Sequence, residues 1–354
     1  MVLARIGCGG RAGSVVLPSR FSAMSPVHAW LVGVGSLGLI LVLAACGAPR
    51  PEANSPSGRP ALRVVTTFLP ITLFTRAVAG DCATVTALVP ANGGPHDFQA
   101  KPSDLAMLRQ ARLLVKNGLG MEAFLDKLIT AAANPRLTVI DSSRDVATLG
   151  SSPAQANHRH GPGRDPGRDH GLAEEQGHGH GTENPHIWLD PLRAVQQVNS
   201  IRDGLVKADP GCAEGYRRNA AAFTAQLQRL NREIASQLKP YSGKTFIAFH
   251  DFAPYFAQRY SLRAEYLVDV PELNPSPSDL RRVAAEVKQT QLKALLSEPQ
   301  EGQRSFNSLA KDLGVTISVF DPMETGSAAA SRDPATYGRV MRRNVAELIE
   351  AFGR

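Results

Sequence analysis

The chain has 354 residues, 43% of them apolar and 20% charged, and a formal charge of +7. These proportions exclude a disordered or fibrous protein, and the length accommodates two domains of ordinary size. The basic excess invites a nucleic-acid reading, but no dense basic patch interleaved with aromatic residues supports one.

At the amino terminus, Arg5, Arg11 and Arg20 form a basic flank with no acidic residue before Cys46. Leu31 to Ala45, "LVGVGSLGLILVLAA", is 15 residues without a charge. That suits the apolar region of a secretory signal and falls short of the roughly 18 residues wanted for a spanning helix. "LAAC" at Leu43–Cys46 resembles the lipobox of bacterial lipoproteins, which implies a signal peptide over residues 1–45 and a lipid on Cys46. A start at Met24 rather than Met1 would remove all three arginines. Loss of residues 1–45 takes away those three arginines and no acids, so the charge falls from +7 to +4. Cys8 leaves with the signal, and Cys82 and Cys212 remain in an oxidising compartment. Neither belongs to a Cys-X-X-Cys motif, and they either pair in a disulfide or persist as two free thiols.

Residues 46–60, rich in Pro, Ser and Gly, read as a flexible tether. An amino-terminal domain over 61–209 opens with a β-branched strand at Val64–Thr67 and a helix ending at Gly80. "ATVTALVP" is the next strand, and a helix follows over Ser103–Gln110 with Ser103 as its N-cap. "ARLLVKNG", a helix near Glu122–Ala133 and "RLTVID" continue the alternation, which predicts a parallel α/β sheet. A Gly- and His-rich loop over 157–183 interrupts this domain, and a helix closing at Pro210 completes it. Next, Tyr216, Phe223, Leu227, Leu230, Ile234 and Leu238 mark one apolar face of a linking helix over 210–239. At about 1.5 Å per residue it spans roughly 40 Å, enough to reach from one domain to another. A carboxyl-terminal α/β domain over 240–354 repeats the alternation: "TFIAFH", "AEYLVDV", "LKALLSEP" and "TISVFDP" are strands, and the last helix runs from Pro334 to Phe352. "FQAKPSDLAML" in the first domain echoes "LNPSPSDLRRV" in the second.

Three histidines lie at strand ends or loop entries. His96 is in "PANGGPHDFQAKPSD", His186 in "NPHIWLDP" and His250 in "FIAFHDFAPYF". Asp321 in "TISVFDP" has the same address in the second domain. Ligand sites of open α/β sheets lie off the carboxyl ends of strands. Three imidazoles and a carboxylate suit Zn2+. A catalytic zinc centre would also need a general base, for which Asp97, Asp251 and Glu272 are candidates, but no His-Glu-X-X-His arrangement accompanies them.

The succession "VVTTFLPI", "VTALVPANGGPHDFQAKPSDL", "LLVKNGLGME", "NPHIWLDP", "FIAFHDFAPYF" and "VFDPM" resembles the metal-binding lipoproteins of bacterial zinc and manganese ABC importers, the zinc-type (cluster A-I) solute-binding proteins. The resemblance runs from about Leu62 to the carboxyl terminus. It implies two (β/α) domains with parallel sheets, joined by one long rigid helix, and a metal held in the cleft between them. Carried over motif by motif, it implies His96, His186, His250 and Asp321 as ligands, with Asp321 binding directly or through water. Manganese-type members carry Glu where this chain has His250, so Zn2+ is expected ahead of Mn2+. Members often have an acidic residue three positions after the first ligand; here that residue is Gln99. The loop histidines His158, His160, His170, His178 and His180 resemble the auxiliary His-rich loop of zinc-type members. The implied protein is a non-enzymatic, monomeric lipoprotein, exported and anchored facing the periplasm or cell exterior. It would deliver Zn2+ to an ABC permease and its ATPase. Alternatives are a manganese-binding relative, an adhesin-type surface lipoprotein and a zinc hydrolase.

Overall fold

The computed structural model of the protein describes residues 61–150, 183–271, 273–299 and 303–353. Residues 1–60, on which the signal peptide, the lipidated Cys46 and the tether are expected, lie outside the described residues, as do Glu272 and the five histidines from His158 to His180.

The first half contains β1 (Leu62–Thr66), α1 (Leu69–Ala79), β2 (Ala83–Ala87), α2 (Pro102–Gln110), β3 (Leu113–Lys116), α3 (Leu125–Ala132) and β4 (Thr138–Asp141). All its strand pairs are parallel, in the order β2-β1-β3-β4. The inner strands β1 and β3 carry consecutive apolar residues because helices cover both faces; Val64, Val65, Leu113, Leu114 and Val115 are all buried. Two helices follow, α4 (Pro191–Ala208) and α5 (Ala213–Leu238).

The second half contains β5 (Thr245–His250), α6 (Pro254–Arg259), β6 (Arg263–Val268), α7 (Pro277–Thr290), β7 (Ala294–Ser297), α8 (Gln303–Leu313), β8 (Thr316–Val319) and α9 (Thr336–Ala351). Its sheet is also parallel and runs β6-β5-β7-β8, the same winding as the first. The sequence echo falls on equivalent helices, α2 and α7, each following the second strand of its sheet. In both, proline opens the helix and an aspartate two residues later accepts the N–H of the residue before the proline. Asp104 Oδ2 accepts from Lys101 N at 2.7 Å, and Asp279 Oδ2 from Ser276 N at 2.9 Å. Ser103 is therefore not the cap expected of it. Pro102 presets the first helical φ, so the cap position moves back to Lys101.

Helix α5 is 26 residues long, about 39 Å at 1.5 Å per residue. Its apolar face of Tyr216, Ala220, Phe223, Leu227, Leu230, Ile234 and Leu238 is buried along its whole length. It packs on α1 and α4 of the first half and on α9 of the second. Phe74 of α1 lies between Phe223 of α5 and Tyr337 of α9, with ring centroids 6.0 and 5.2 Å away. One apolar core therefore runs through both halves.

Cys82, after α1, is joined by a disulfide to Cys212, just before α5, with Cα atoms 6.2 Å apart and a sequence separation of 130. Closing so long a loop restricts the unfolded chain strongly, so reduction should cost about 3–5 kcal/mol of stability. In a soluble form beginning after Cys46, neither thiol should react with a labelling reagent before reduction. Urea unfolding should then shift to lower concentration once reductant is added. Two reactive thiols in the unreduced protein would contradict both expectations.

Candidate metal centre

His250 is the last residue of β5, so the strand itself delivers its imidazole to the end of the sheet. His186 stands immediately before the short 3-10 turn Ile187–Leu189 that leads into α4. His96 is carried by the loop between β2 and α2. These three approach one another from both halves, and a fourth donor joins them: Glu324, in the loop after β8. Among the described residues, His96, His186, His250 and Glu324 form a cluster whose ligand atoms all lie within 4.8 Å of one another. Glu324 Oε1 is the common neighbour, at 3.2 Å from His96 Nε2, 2.9 Å from His186 Nε2 and 3.4 Å from His250 Nε2. His250 Nε2 and His186 Nε2 are 3.3 Å apart. Donors about 2.0–2.1 Å from a tetrahedral zinc ion lie about 3.3 Å from each other, so these four separations are close to the edges of such a site, within a cluster bounded at 4.8 Å.

Asp321, the carboxylate expected on sequence grounds, is not in this cluster. Its Oδ2 accepts from Arg343 Nη2 at 2.8 Å and its Oδ1 accepts the Met323 backbone N–H at 2.8 Å. Asn344 holds its backbone from both sides, donating to Asp321 O at 2.7 Å and accepting from Asp321 N at 2.9 Å. Asp321 thus builds the turn in which buried Met323 takes a φ of 63°, and the turn brings Glu324 to the histidines. Asp321 is engaged by Arg343 and the Met323 N–H, and the residue three positions later joins the histidines instead. Gln99, which stands where relatives often have an acid, is exposed.

The hydrogen bonds behind the ligands come from elsewhere. His250 Nδ1 donates to Glu298 Oε1 at 2.6 Å, and the His250 backbone N–H reaches the same oxygen at 3.2 Å. His186 Nδ1 lies 3.0 Å from Asn184 Oδ1. Each contact leaves Nε2 directed at the cluster, as a metal-ligating imidazole requires. The two rings differ electrostatically. Burial drives the His186 imidazole down to about 3, so it is neutral at physiological pH. Burial also opposes charge on His250, but the carboxylates of Glu298 and Glu324 outweigh it and raise that ring well above its ordinary value. Burial would raise the Glu324 carboxyl, yet His96 and His250 hold it well below the ordinary carboxylate range. A buried group of converging nitrogens around one carboxylate oxygen is suited to a divalent cation.

The halves are fastened beside this cluster. Trp188 Nε1 donates to Pro322 O at 2.8 Å, and Tyr337 OH donates to Trp188 O at 2.7 Å. Asp190, fully buried, accepts Arg259 from the second half at 2.8 Å on each oxygen, and Arg193 from its own helix at 2.6 Å. The loop carrying His96 meets the loop carrying Glu324 through Gly326 N–H to Ala91 O, at 2.5 Å.

Two parallel α/β halves, a single long connecting helix and a buried three-histidine, one-carboxylate cluster between them define a two-lobed metal-binding protein of the solute-binding kind. Residues 64–351 match the family profile described as zinc-uptake complex component A, periplasmic (ZnuA), and the chain belongs to that family. It is 30% identical over 310 residues to the zinc-binding lipoprotein AdcA of Streptococcus pneumoniae, covering 87% of this chain but 58% of that protein. It is 27% identical to the high-affinity zinc uptake system protein ZnuA of Bacillus subtilis, over 88% of this chain and 94% of the relative. Among solved structures, a zinc-bound ZnuA deletion mutant is 27% identical with a TM-score of 0.68, covering 83% of this chain and 99% of that one. The Zn(II)-bound ZnuA-like domain of S. pneumoniae AdcA is 28% identical with a TM-score of 0.66, covering 83% and 100%. The laminin-binding adhesin Lmb of Streptococcus agalactiae, 23% identical with a TM-score of 0.69, shares the fold.

Proposed function

We propose that this protein captures Zn2+ outside the cytoplasmic membrane and hands it to an ABC permease with its ATPase. The observation that carries this reading is the cluster of His96, His186, His250 and Glu324 between the two halves, with all four donor atoms within 4.8 Å of one another. Three imidazoles with one carboxylate favour Zn2+ over Mn2+, which prefers oxygen donors. Four protein donors complete a tetrahedron and leave no place for an activated water, which favours binding over hydrolysis. Family membership and the zinc-uptake relatives support the transport role. Export as a lipoprotein through Cys46 belongs to the same proposal. Asp321 is assigned to the turn that positions Glu324 and not to the ligand set.

The His-rich stretch is given an auxiliary role. The described residues that flank it pair with each other, Gly150 bridging Glu183, three residues before His186. Weak imidazole ligands tethered there would raise the local concentration of metal beside the main site.

Competitive metal titration of purified protein lacking Asn157–Gly181 tests the reading. One tight zinc site is expected, with His96→Ala or His250→Ala abolishing it, and the intact chain should bind additional zinc more weakly. Retention of the tight site in both single variants would overturn the assignment.

A further inference from the structure

The metal cluster lies beyond the carboxyl ends of the strands, and the amino ends of the first sheet form the opposite edge. The parallel register sets three arginines side by side along that edge. Arg112 N, just before β3, donates to Arg63 O of β1 at 3.0 Å, and Arg112 Nη1 donates to the carbonyl of Arg136, just before β4, at 3.1 Å. All three side chains are exposed, and they line one depression with Ala61, Leu62 and Gln110. No acid lines it. Arg63 Nη1 donates to Gln110 Oε1 at 3.3 Å, again a neutral oxygen. Among the described residues none of the three guanidinium groups has a carboxylate partner. The carbonyls that end α2 do not offset the charge, because Asn134 Nδ2 occupies Leu108 O at 2.9 Å and Ala111 O at 2.8 Å. Asp81, ahead of β2 at one end of the edge, is exposed and leaves a positive excess. A guanidinium has five N–H donors in a fork that matches phosphate oxygens, so most donors here remain for an anionic partner.

The chain enters the described structure at this depression, through Ala61. Residues 46–60 join it to the cysteine proposed to carry lipid, and about 15 residues reach at most about 50 Å. We propose that the edge of Arg63, Arg112 and Arg136 docks onto anionic phospholipid headgroups of the membrane that holds the anchor, turning the metal cluster away from the bilayer. The proposal rests on the lipoprotein reading above. An acyl chain and a basic patch are complementary signals: the first attaches the protein, and the second sets which face lies down. Each arginine near an anionic surface strengthens docking about fivefold, so three together do so about 100-fold. Salt screens such a contact, which keeps it reversible and leaves the protein free to turn when it delivers metal. The second sheet carries Lys244, Arg263 and Lys293 on its corresponding edge, but the described chain does not enter there.

The test uses residues 46–354 made without lipid. Cys82 and Cys212 are paired, so Cys46 is the thiol available for coupling to a maleimide phospholipid in nanodiscs. An arginine-directed dicarbonyl reagent, read by mass spectrometry, then reports the exposure of each guanidinium. On phosphatidylglycerol discs at low salt, Arg63, Arg112 and Arg136 should react at least about fivefold more slowly than on phosphatidylcholine discs, with Arg263 unchanged. The shielding should vanish at about 0.5 M salt. In the variant combining Arg63→Gln with Arg112→Gln, Arg136 should lose its shielding. Persistent shielding there would mean that something other than charge holds the face down, and would overturn the proposal. Equal reaction rates on both kinds of disc, or shielding of Arg263 to the same degree, would overturn it as well. So would shielding by dissolved polyglutamate but not by phosphatidylglycerol, which would assign the patch to an acidic protein. Chemical coupling makes the result independent of what a cell attaches to Cys46. A Cys46 found without lipid in cells would sink the lipoprotein reading alone, whereas unshielded arginines would sink the docking surface alone.

Discussion

Glu324→Gln is expected to weaken zinc binding about 100- to 1000-fold, and Asp321→Asn by less than about tenfold. The expected size follows from dividing the roughly 10–16 kcal/mol of a structural zinc site among four donors, or about 2.5–4 kcal/mol each. Glutamine preserves the size of Glu324 and one carbonyl oxygen, so the cluster keeps its shape while losing its negative donor. The loss should be felt strongly because Glu324 is buried and its Oε1 lies within 3.4 Å of all three imidazole Nε2 atoms. Asparagine at 321 can still accept the Met323 N–H that makes the turn. What it gives up is the ion pair to Arg343, whose side chain is 58% exposed, and such pairs contribute about 0–1 kcal/mol. Competition against a chromophoric chelator measures both affinities. If Asp321 were the ligand and Glu324 a bystander, the order of the two effects would reverse.

That contrast also marks how far the sequence can be read. The strand–helix alternation is legible because inner parallel strands covered on both faces carry short apolar runs, as at Val64–Val65 of β1 and Leu113–Val115 of β3. Helix α5 is legible because its buried side chains keep one face over 26 residues. His96, His186 and His250 stand out because histidine is uncommon in such runs and each lies at a loop next to regular structure. Glu324 escapes for the opposite reason. Acidic residues are ordinary in loops, and the strand-end rule selects the nearer carboxylate, Asp321. Only the left-handed backbone at Met323, invisible in composition or periodicity, turns the chain so that the later residue points inward. Asn184 and Glu298 are hidden similarly. Each acts through a hydrogen bond to a ring nitrogen, and for the Glu298–His250 pair 48 residues separate the partners.

Replacing Asp190 should cost about 3–5 kcal/mol of stability, as much as reducing the disulfide. The "WLDP" aspartate is fully buried and opens α4 by accepting the Leu192 N–H at 2.9 Å. It also neutralises two guanidinium groups, Arg193 with a side chain 11% exposed and Arg259 with one 32% exposed. Asp190→Ala removes the cap and leaves these cations facing a space with no counter-charge, whereas Asp190→Asn restores the cap but not the charge. A buried cation left without its partner is the costly part, so asparagine should recover only the roughly 1 kcal/mol associated with an N-cap. The reverse design tests the cause. Asp190→Leu combined with Arg193→Met and Arg259→Met removes charge on both sides, and it should be more stable than Asp190→Ala alone, because desolvated ions no longer need compensation. Urea unfolding at constant m-value reads these differences as shifts in midpoint. A loss below about 1 kcal/mol in Asp190→Ala would mean the pairs behave as exposed ones do. Because Asp190 lies four residues after His186 and binds Arg259 from the opposite half, saturating zinc should recover part of the lost stability, in proportion to the logarithm of metal concentration over Kd.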